Sequence, residues 1–396
     1  MTNNPFGSNP FETVFKDLMN AMASQSNLSS SIAEQFAMSV VARQTGDENA
    51  DPLLRMKVES LFDLAQRNIS NDSIISKFIL EQPSQVLSLS QVEYVQVLLG
   101  DLHELIAKLE SISKDASDSF PKLGGDPQIF GGLPFSQMSA IIGPFLSGMN
   151  VGSCVGHLAQ ENLASFDILL PRKLKSIAFV AQNIQNFSTD WNLNLDELII
   201  WLSVQQITLS AILSLPHIAK IIDDAIDLHL ESAQKMSQSL TKRFEDVDMS
   251  DPDALAKLTS DPTQLIGIEL SELQELQLQN TSKALAVIIG IADYITSTTA
   301  RRLLGNFEQI VEAVRRKRIE SHEGETLFES LFGISVRGNT YELGHKFIFG
   351  VIERNEEDRL ISVLESPWAF PTPNEVDAPG LWIARLESTS EMPDSE

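Results

Sequence analysis

The sequence contains a single cysteine, Cys154, among 396 residues. One thiol excludes an internal disulfide, which is typical of proteins from a reducing compartment. The first twenty residues, MTNNPFGSNPFETVFKDLMN, lack a basic segment followed by an apolar one, so we see no pattern of a secretory signal. Together these absences predict a cytoplasmic protein.

Basic residues are few compared with acidic ones. The chain has 54 Asp and Glu residues against 29 Lys and Arg, which gives a formal net charge of -25. This charge would repel a nucleic-acid backbone or an anionic membrane surface. We therefore expect no nucleic-acid partner.

Long apolar runs are also missing. The run ALAVIIGIADYI at 284–295 is interrupted by Asp293, whereas a membrane-spanning helix needs roughly 18 or more consecutive apolar residues. We expect no membrane span. The overall hydrophobic content of 43% is nevertheless sufficient for a large buried core.

Helical periodicity is what the sequence has in abundance. Apolar residues recur at i, i+3 and i+4 in DPLLRMKVESLFDLAQRNIS (51–70) and in SQVEYVQVLLGDLHELIAKLESISK (90–114). Two further long periodic segments, 196–215 and 271–305, are predicted to form helices that pack face to face. The pattern predicts a mainly α fold.

Composition changes along the chain predict its domains. Residues 1–50 are interpreted as a flexible arm with one short amphipathic helix, and 51–120 as an N-terminal helical bundle. The connector PKLGGDPQIFGGLPFSQ, rich in Gly and Pro, places a boundary near 120–135. A larger helical domain then covers 135–380, with an exposed linker at about 240–265, and 384–396 form an acidic tail. Before that tail, PWAFPTPNE predicts an irregular, Pro-rich segment.

Three glycines occur at every fourth position in one helical segment. Gly148, Gly152 and Gly156 would share one face of a helix. A surface without side chains allows close approach, so we expect a second helix to pack tightly against this one.

The histidines and the cysteine form no strong catalytic pattern. None of the six histidines has a second histidine four residues away. In HELIAKL, which begins at His103, the second ligand position holds Ala107, so the segment is interpreted as a solvated helix face. Cys154 and His157 lie three residues apart, which is compatible either with a thiolate-imidazole nucleophile or with a buried structural thiol.

The densest basic cluster lies in VRRKRIE and consists of Arg315, Arg316, Lys317 and Arg318. It is interpreted as a group that neutralises nearby carboxylates or stabilises a helix end. A docking patch for an acidic partner is the alternative.

The order of five segments resembles the bacterial zincin-like metallopeptidase type 2 family. The segments are IIGPFLSGMNVGSCVGHLAQENLASFDILLP, DWNLNLDELIIWLSVQQ, LAVIIGIADYITSTTARRL, TLFESLFGISVR and SPWAFPTPNEVDAPG. The resemblance covers roughly residues 50–380. It implies a multi-helix, zincin-like body in which one helix carries an HExxH zinc motif and a later helix supplies a Glu ligand.

The resemblance also implies that this site is degenerate. The HExxH positions fall on Gln205, Gln206, Ile207, Thr208 and Leu209, and the later Glu falls on Ile289. Gln205 and Leu209 would thus replace the two imidazoles, Gln206 the general base and Ile289 the carboxylate. We therefore expect neither a bound metal nor another cofactor.

Two interpretations of the paired amides remain open. They are either ordinary helix residues or part of a remodelled pocket formed by Trp201, Gln205, Gln206, His217 and Gly290. The leading hypothesis is a catalytically inactive homologue that acts as a binding or scaffold protein for a protein or peptide partner.

Two alternatives to this hypothesis remain. In the first, the chain is a zinc-dependent hydrolase or metalloprotease whose active site is inherited or relocated, with His103, His157 or His217 recruited and zinc as its cofactor. In the second, the chain is a purely structural protein that assembles a complex through its acidic surface and its basic cluster.

Overall fold

The computed structural model describes residues 28–42, 51–72, 74–78, 85–118, 135–172, 176–245, 272–320, 322–335, 338–354 and 357–390. These residues form fifteen α-helices and one small two-stranded sheet, so the predicted mainly α fold class is confirmed. The short helix predicted near Phe11, most of the connector at 121–137 and most of the linker at 240–265 lie outside the described residues.

Among the described residues, the first part of the chain forms five α-helices and one strand. In order they are α1 (Leu28–Ala42), α2 (Pro52–Asp72), β1 (Gln85–Leu89), α3 (Gln91–Asp101), α4 (His103–Asp118) and α5 (Phe135–Glu161). Helix α3 begins where Ser90 forms a capping box with Glu93. Residues 28–42 were predicted to belong to a flexible arm, but their apolar residues Ala33, Ala37 and Val41 are buried, which stabilises α1.

The described residues of the second part form one strand and ten α-helices. They are β2 (Ser176–Val180), α6 (Ala181–Asp190), α7 (Leu195–Leu213), α8 (Pro216–Glu245), α9 (Glu272–Ala300), α10 (Phe307–Ile319), α11 (Glu323–Phe332), α12 (Gly338–Ile352), α13 (Ser362–Glu365), α14 (Pro373–Asp377) and α15 (Pro379–Ser390). Helices α7 and α9 pack against each other, as their periodicity predicts.

The two strands join distant parts of the chain. They pair in parallel, with Gln85 opposite Ser176 and Leu89 opposite Val180. Buried apolar residues from Ala33 to Leu386 also form one continuous cluster. Described residues on both sides of the predicted boundary therefore share one core, and do not form two separate ones.

The glycine face of α5 contacts α1 closely. A Cβ atom added at Gly152 would lie 2.5 Å from the carbonyl oxygen of Ala33, and one at Gly148 would lie 2.8 Å from that of Ser29. Such distances are shorter than any real Cβ contact, so the two helices can reach this separation only because the side chains are absent. The predicted close approach of a second helix is confirmed.

Helix α7 is buried over most of its length. Asn194 caps its N-terminus by accepting hydrogen bonds from the backbone N–H groups of Asp196 and Glu197. Among the described helices it alone has the length and apolar composition of a membrane span, and 72% of that window is buried inside the protein.

The Pro-rich segment is held against α15. Trp382 Nε1 donates to the carbonyl oxygen of Ala369 at 2.7 Å. Arg385 binds both carboxylate oxygens of Glu375, at 2.7 and 3.0 Å, and also donates to the carbonyl of Trp368. Residues 384–390 were predicted to begin an acidic tail, but they form the end of α15, where Leu386 is buried.

Candidate functional site

One cavity of about 50 Å³ lies between α7, α9, α10 and the turn that follows α5. Trp201, Leu202, Gln205 and Leu209 of α7 line one side of it. The remaining lining residues are Leu163, Phe166, Asp167, Leu169, Ile289, Ala292, Asp293, Val314, Lys317, Arg318, Glu325 and Tyr341.

Helical spacing explains why these residues meet. Residues 201, 205 and 209 recur every fourth position and therefore share one face of α7. Ile289 and Asp293 are likewise four residues apart on α9. As a result, Gln205, Leu209 and Ile289, which the resemblance aligns with three zinc ligands, line the same cavity.

Gln206 has a different environment from that of Gln205. Its side chain is fully buried, its Oε1 accepts a hydrogen bond from the backbone N–H of Phe166 at 2.7 Å, and its Nε2 donates to Asp167 Oδ1 at 3.2 Å. Gln206 is not among the cavity-lining residues. This amide fixes the turn after α5 to α7.

Gln205 lines the cavity and is only 7% exposed. Its side chain forms no hydrogen bond with any described residue. Trp201, one turn earlier, is 3% exposed, and its Nε1 also lacks a hydrogen-bond partner within the described ranges. Buried polar groups usually have partners, so this wall of the cavity retains unused hydrogen-bonding capacity.

A bidentate ion pair stands opposite α7. Arg318 donates two hydrogen bonds to Asp293, at 2.6 and 2.9 Å, and its guanidinium lies 4.2 Å from the centre of the Tyr341 ring. Burial is the largest single influence and lowers the pKa of Arg318, but the charge and hydrogen bonds of Asp293, together with Tyr341 and Asp167, raise it overall. Burial also raises the pKa of the Tyr341 phenol. Near neutral pH the Arg318 guanidinium is therefore charged and the Tyr341 phenol is neutral.

The predicted docking patch is divided between two sides of α10. Arg315 and Arg316 are exposed and share the Glu312 carboxylate, at 3.1 and 2.7 Å. Lys317 and Arg318 line the cavity. Consecutive helix residues point about 100° apart, so the four cations form no single surface. The candidate docking residues are thus an exposed pair and a cavity-lining pair, and an acidic partner for them stays a prediction.

Two buried or half-buried carboxylates position the helices that bear the cavity charges. Glu197 of α7 accepts from the backbone N–H of Asn306 at 3.0 Å, next to the start of α10. Glu161 of α5 accepts from the backbone N–H of Gly324 at 2.9 Å, in the first turn of α11. Burial raises the pKa of Glu161, and the Gly324 hydrogen bond counteracts this effect. Carboxylates at helix N-termini are favourable because the free N–H groups point at them.

The turn after α5 is held by buried polar contacts. Asp167 Oδ2 accepts from the backbone N–H of Leu163 at 2.6 Å, and Tyr94 Oη donates to the carbonyl of Ala164 at 3.2 Å. Arg172 forms a buried ion pair with Asp101 and donates to the carbonyl of Ser165. These contacts place Phe166 and Asp167 at the edge of the cavity.

Two predicted pocket residues lie elsewhere. His217 follows the break between α7 and α8, and its Nε2 is 3.0 Å from the carbonyl oxygen of Val363. Gly290 faces α12, where an added Cβ atom would lie 2.8 Å from the Gly344 carbonyl oxygen. Neither residue lines the cavity. Of the residues predicted to form the pocket, only Trp201 and Gln205 line it.

The other histidines and the thiol are also separate from this cavity. His103 is exposed on α4, and His157 Nε2 lies 3.5 Å from Glu323. Cys154 is buried, with its Sγ 3.7 Å from the carbonyl oxygen of Gly324. Burial, with a further contribution from Glu161, raises the pKa of the thiol. Cys154 is therefore protonated near neutral pH and lacks the character of an activated nucleophile.

The residues of the cavity do not fit a zinc ion. Zinc in proteins is bound by Cys, His, Asp or Glu, whereas Gln205, Leu209 and Ile289 stand at the aligned ligand positions. Within the described ranges, no group of three or more such side chains is arranged to hold a metal ion.

Comparison with known proteins gives one family match and one structural match. The sequence model of the zincin-like metallopeptidases matches residues 29–383. A solved structure described as a "putative hydrolase with a novel fold" from Chloroflexus aurantiacus is similar, with a TM-score of 0.57 and 16% identity over 90% of this chain and 98% of that chain. No curated protein matches the sequence. At this low identity the structural match concerns the fold alone.

Proposed function

The chain belongs to the zincin-like metallopeptidase family, and we propose that it is a catalytically inactive member that acts as a binding or scaffold protein. The observation that carries the proposal is the convergence of Gln205, Leu209 and Ile289 on one cavity. The resemblance implies that the family's zinc position is lined in this chain by an amide and two aliphatic side chains. We further propose a cytoplasmic location and a protein or peptide partner.

The chemistry of these side chains supports the proposal. Leucine and isoleucine have no lone pair for a metal ion, and a neutral amide cannot take a proton as a general base. Gln206, which the resemblance aligns with the base, also has both ends of its amide bound to the turn after α5. No residue in the aligned positions retains the role that zinc-dependent hydrolysis requires.

A hydrolysis assay tests the absence of activity. Purified protein is incubated with casein and with a peptide library, with and without EDTA. We expect no EDTA-sensitive cleavage above that of a buffer control. Cleavage that EDTA abolishes, and that co-elutes with the protein through two chromatographic steps, would contradict the proposal.

A ligand graft tests whether the cavity stands at the family's metal position. The triple variant Gln205→His, Leu209→His and Ile289→Glu supplies two imidazoles one helical turn apart and a carboxylate on α9. We expect it to bind about one equivalent of zinc, as tetrahedral sites with three protein ligands do. The control carries Gln185→His in α6 in place of Gln205→His. Equal zinc binding by both variants would show that the cavity residues do not form the site.

The alternative function is hydrolysis at an inherited or relocated site, and it rests on the family's relation to hydrolases. Zinc would be its cofactor, with His103, His157 or His217 recruited. None of these three histidines lines the cavity. If hydrolysis is detected, His217→Ala tests the recruited histidine nearest in sequence to α7, and unchanged activity would exclude that residue.

A further inference from the structure

We propose that the cavity is a binding site for a neutral carboxamide group, with Gln205 as its hydrogen-bonding partner. This inference rests on the proposed function, because it assigns a ligand class to the same cavity. The evidence for this inference is the amide of Gln205, unpartnered among the described residues, the volume of the cavity and the charged residues that line the cavity.

The amide of Gln205 lines the cavity and has no hydrogen-bond partner among the described residues. The side chain is 7% exposed, lines the cavity and forms no hydrogen bond within the described part of the chain. A primary amide offers an N–H donor and a carbonyl acceptor side by side. A second carboxamide presents the complementary acceptor and donor, so one ligand group can satisfy both ends.

The volume of the cavity indicates the size of the group that its inner part can hold. The cavity measures about 50 Å³, and a single water molecule needs at least roughly 10–15 Å³ on this measure. Space therefore exists for about three to five heavy atoms. A carboxamide together with its attached carbon has this size, whereas a folded peptide segment does not.

The charges around the cavity favour a neutral ligand. Asp167, Asp293 and Glu325 oppose Lys317 and Arg318, so three carboxylates face two cations. A carboxylate ligand would add a fourth negative charge. A cation would meet carboxylates that already have partners, since Asp293 binds Arg318 and Asp167 accepts from Leu163 N–H and Gln206.

Apolar side chains complete the site. Trp201, Leu209 and Ile289 are each at most 5% exposed and line the cavity beside Gln205. Leu209 and Ile289 provide contact for the carbon attached to the carboxamide and no hydrogen bond. Trp201 provides ring contact and one N–H donor that has no partner among the described residues. The ligand is thus either a small free amide or the end of an Asn or Gln side chain of a partner protein.

Acetamide is the probe that tests this assignment. Ligand-observed saturation-transfer NMR would be recorded with the full chain and acetamide, with acetate as a charged ligand of the same shape. For four heavy atoms we expect a dissociation constant on the order of millimolar. We expect acetate to bind at least about tenfold more weakly.

Two variants locate the bound probe. Gln205→Met keeps a similar shape but removes the amide, and we expect it to lose acetamide binding. Gln185→Met makes the same change in α6, outside the cavity, and should bind like the wild type. No acetamide binding by the wild type, equal binding by Gln205→Met, or equal binding of acetate would overturn the proposal. If Gln205→Met fails to fold, the comparison of acetamide binding with acetate binding by the wild type still tests the proposal.

A competition experiment distinguishes the two sources of the ligand. N-acetylglutamine methylamide displaces acetamide if a partner's side chain can enter the cavity, whereas a small free amide is indicated if only acetamide binds. Both results support the site. If the protein contains no zinc and does not bind acetamide, this inference is wrong and the proposed function is unaffected. If the protein contains one equivalent of tightly bound zinc, the proposed function is wrong.

Discussion

At the scale of single residues, two adjacent amides have opposite roles. Residues 205 and 206 point about 100° apart on α7, so Gln205 faces the cavity and Gln206 faces the backbone of Phe166. The resemblance places both residues in the former motif, but it cannot assign these orientations. They depend on the turn after α5, whose position is set by Tyr94 of α3 and by Arg172, which pairs with Asp101 at the end of α3.

The two amides should therefore differ in their contribution to stability. Gln206→Met leaves the N–H of Phe166 without its acceptor, and a buried, unsatisfied donor costs about 1–3 kcal/mol. We expect urea denaturation to show a loss of roughly 2 kcal/mol in the free energy of unfolding. Gln205→Met is the matched control, and it should lose no stability, because no hydrogen bond within the described residues is removed. Equal losses for the two variants would contradict the assigned roles.

The single thiol gives a second test at the residue scale. Burial raises the pKa of Cys154 above its ordinary value, so the fraction of reactive thiolate in the folded protein stays negligible as the pH rises through 9. We expect iodoacetamide to leave the native protein unlabelled across this range and to label one thiol per chain in denaturant. Rapid labelling of the native protein would show that Cys154 is accessible and ionised.

At the scale of elements, the contact between α1 and α5 depends on glycine. A Cβ atom at Gly152 would lie 2.5 Å from the Ala33 carbonyl oxygen, and backbone cannot move aside as a flexible side chain can. We expect Gly152→Ala to lower the free energy of unfolding by about 1–3 kcal/mol. Gly100→Ala in α3 is the control, since outside its own helix backbone no atom of the described residues lies within 4 Å of the added Cβ. That variant should gain roughly 0.5–1 kcal/mol, and equal effects at both positions would contradict the close contact.

The ion pair between Asp293 and Arg318 joins α9 to α10. The Arg318 side chain is 18% exposed and that of Asp293 is 34% exposed, so solvent weakens the pair relative to a fully buried one. We expect Asp293→Asn to lower the free energy of unfolding by about 2 kcal/mol, because it leaves the guanidinium without its counter-charge. Glu312→Gln removes the partner of the exposed Arg315 and Arg316, and we expect no measurable change. A loss from Glu312→Gln as large as that from Asp293→Asn would contradict this account.

At the scale of the whole molecule, the sequence predicts the helices better than their arrangement. Periodicity identifies α7 and α9, and the spacing of Gly148, Gly152 and Gly156 predicts a close helix contact. It does not predict the pairing of Gln85 with Ser176, because five-residue strands far apart in the chain carry little periodic signal. The periodicity also does not predict the partner of Asp293. In the sequence, Asp293 is visible only as an interruption of an apolar run.

The functional account depends on the whole fold in the same way. The resemblance aligns Gln205, Leu209 and Ile289 with zinc ligands, but only the packing of α7 against α9 brings them to one cavity. The basic cluster shows the reverse relation between sequence and structure. Its four residues are adjacent in the sequence, but they face two sides of α10. Proximity in the chain is therefore a poor guide to the site of this protein.

The zinc content of the protein tests the central claim most directly. The full chain is purified without a metal-binding tag, equilibrated with zinc, freed of unbound metal and examined by elemental mass spectrometry. Gln205, Leu209 and Ile289 supply no zinc ligand, so we predict less than about a tenth of an equivalent per chain. A value near one equivalent would contradict the account, because it would require a complete set of zinc ligands that the cavity does not contain.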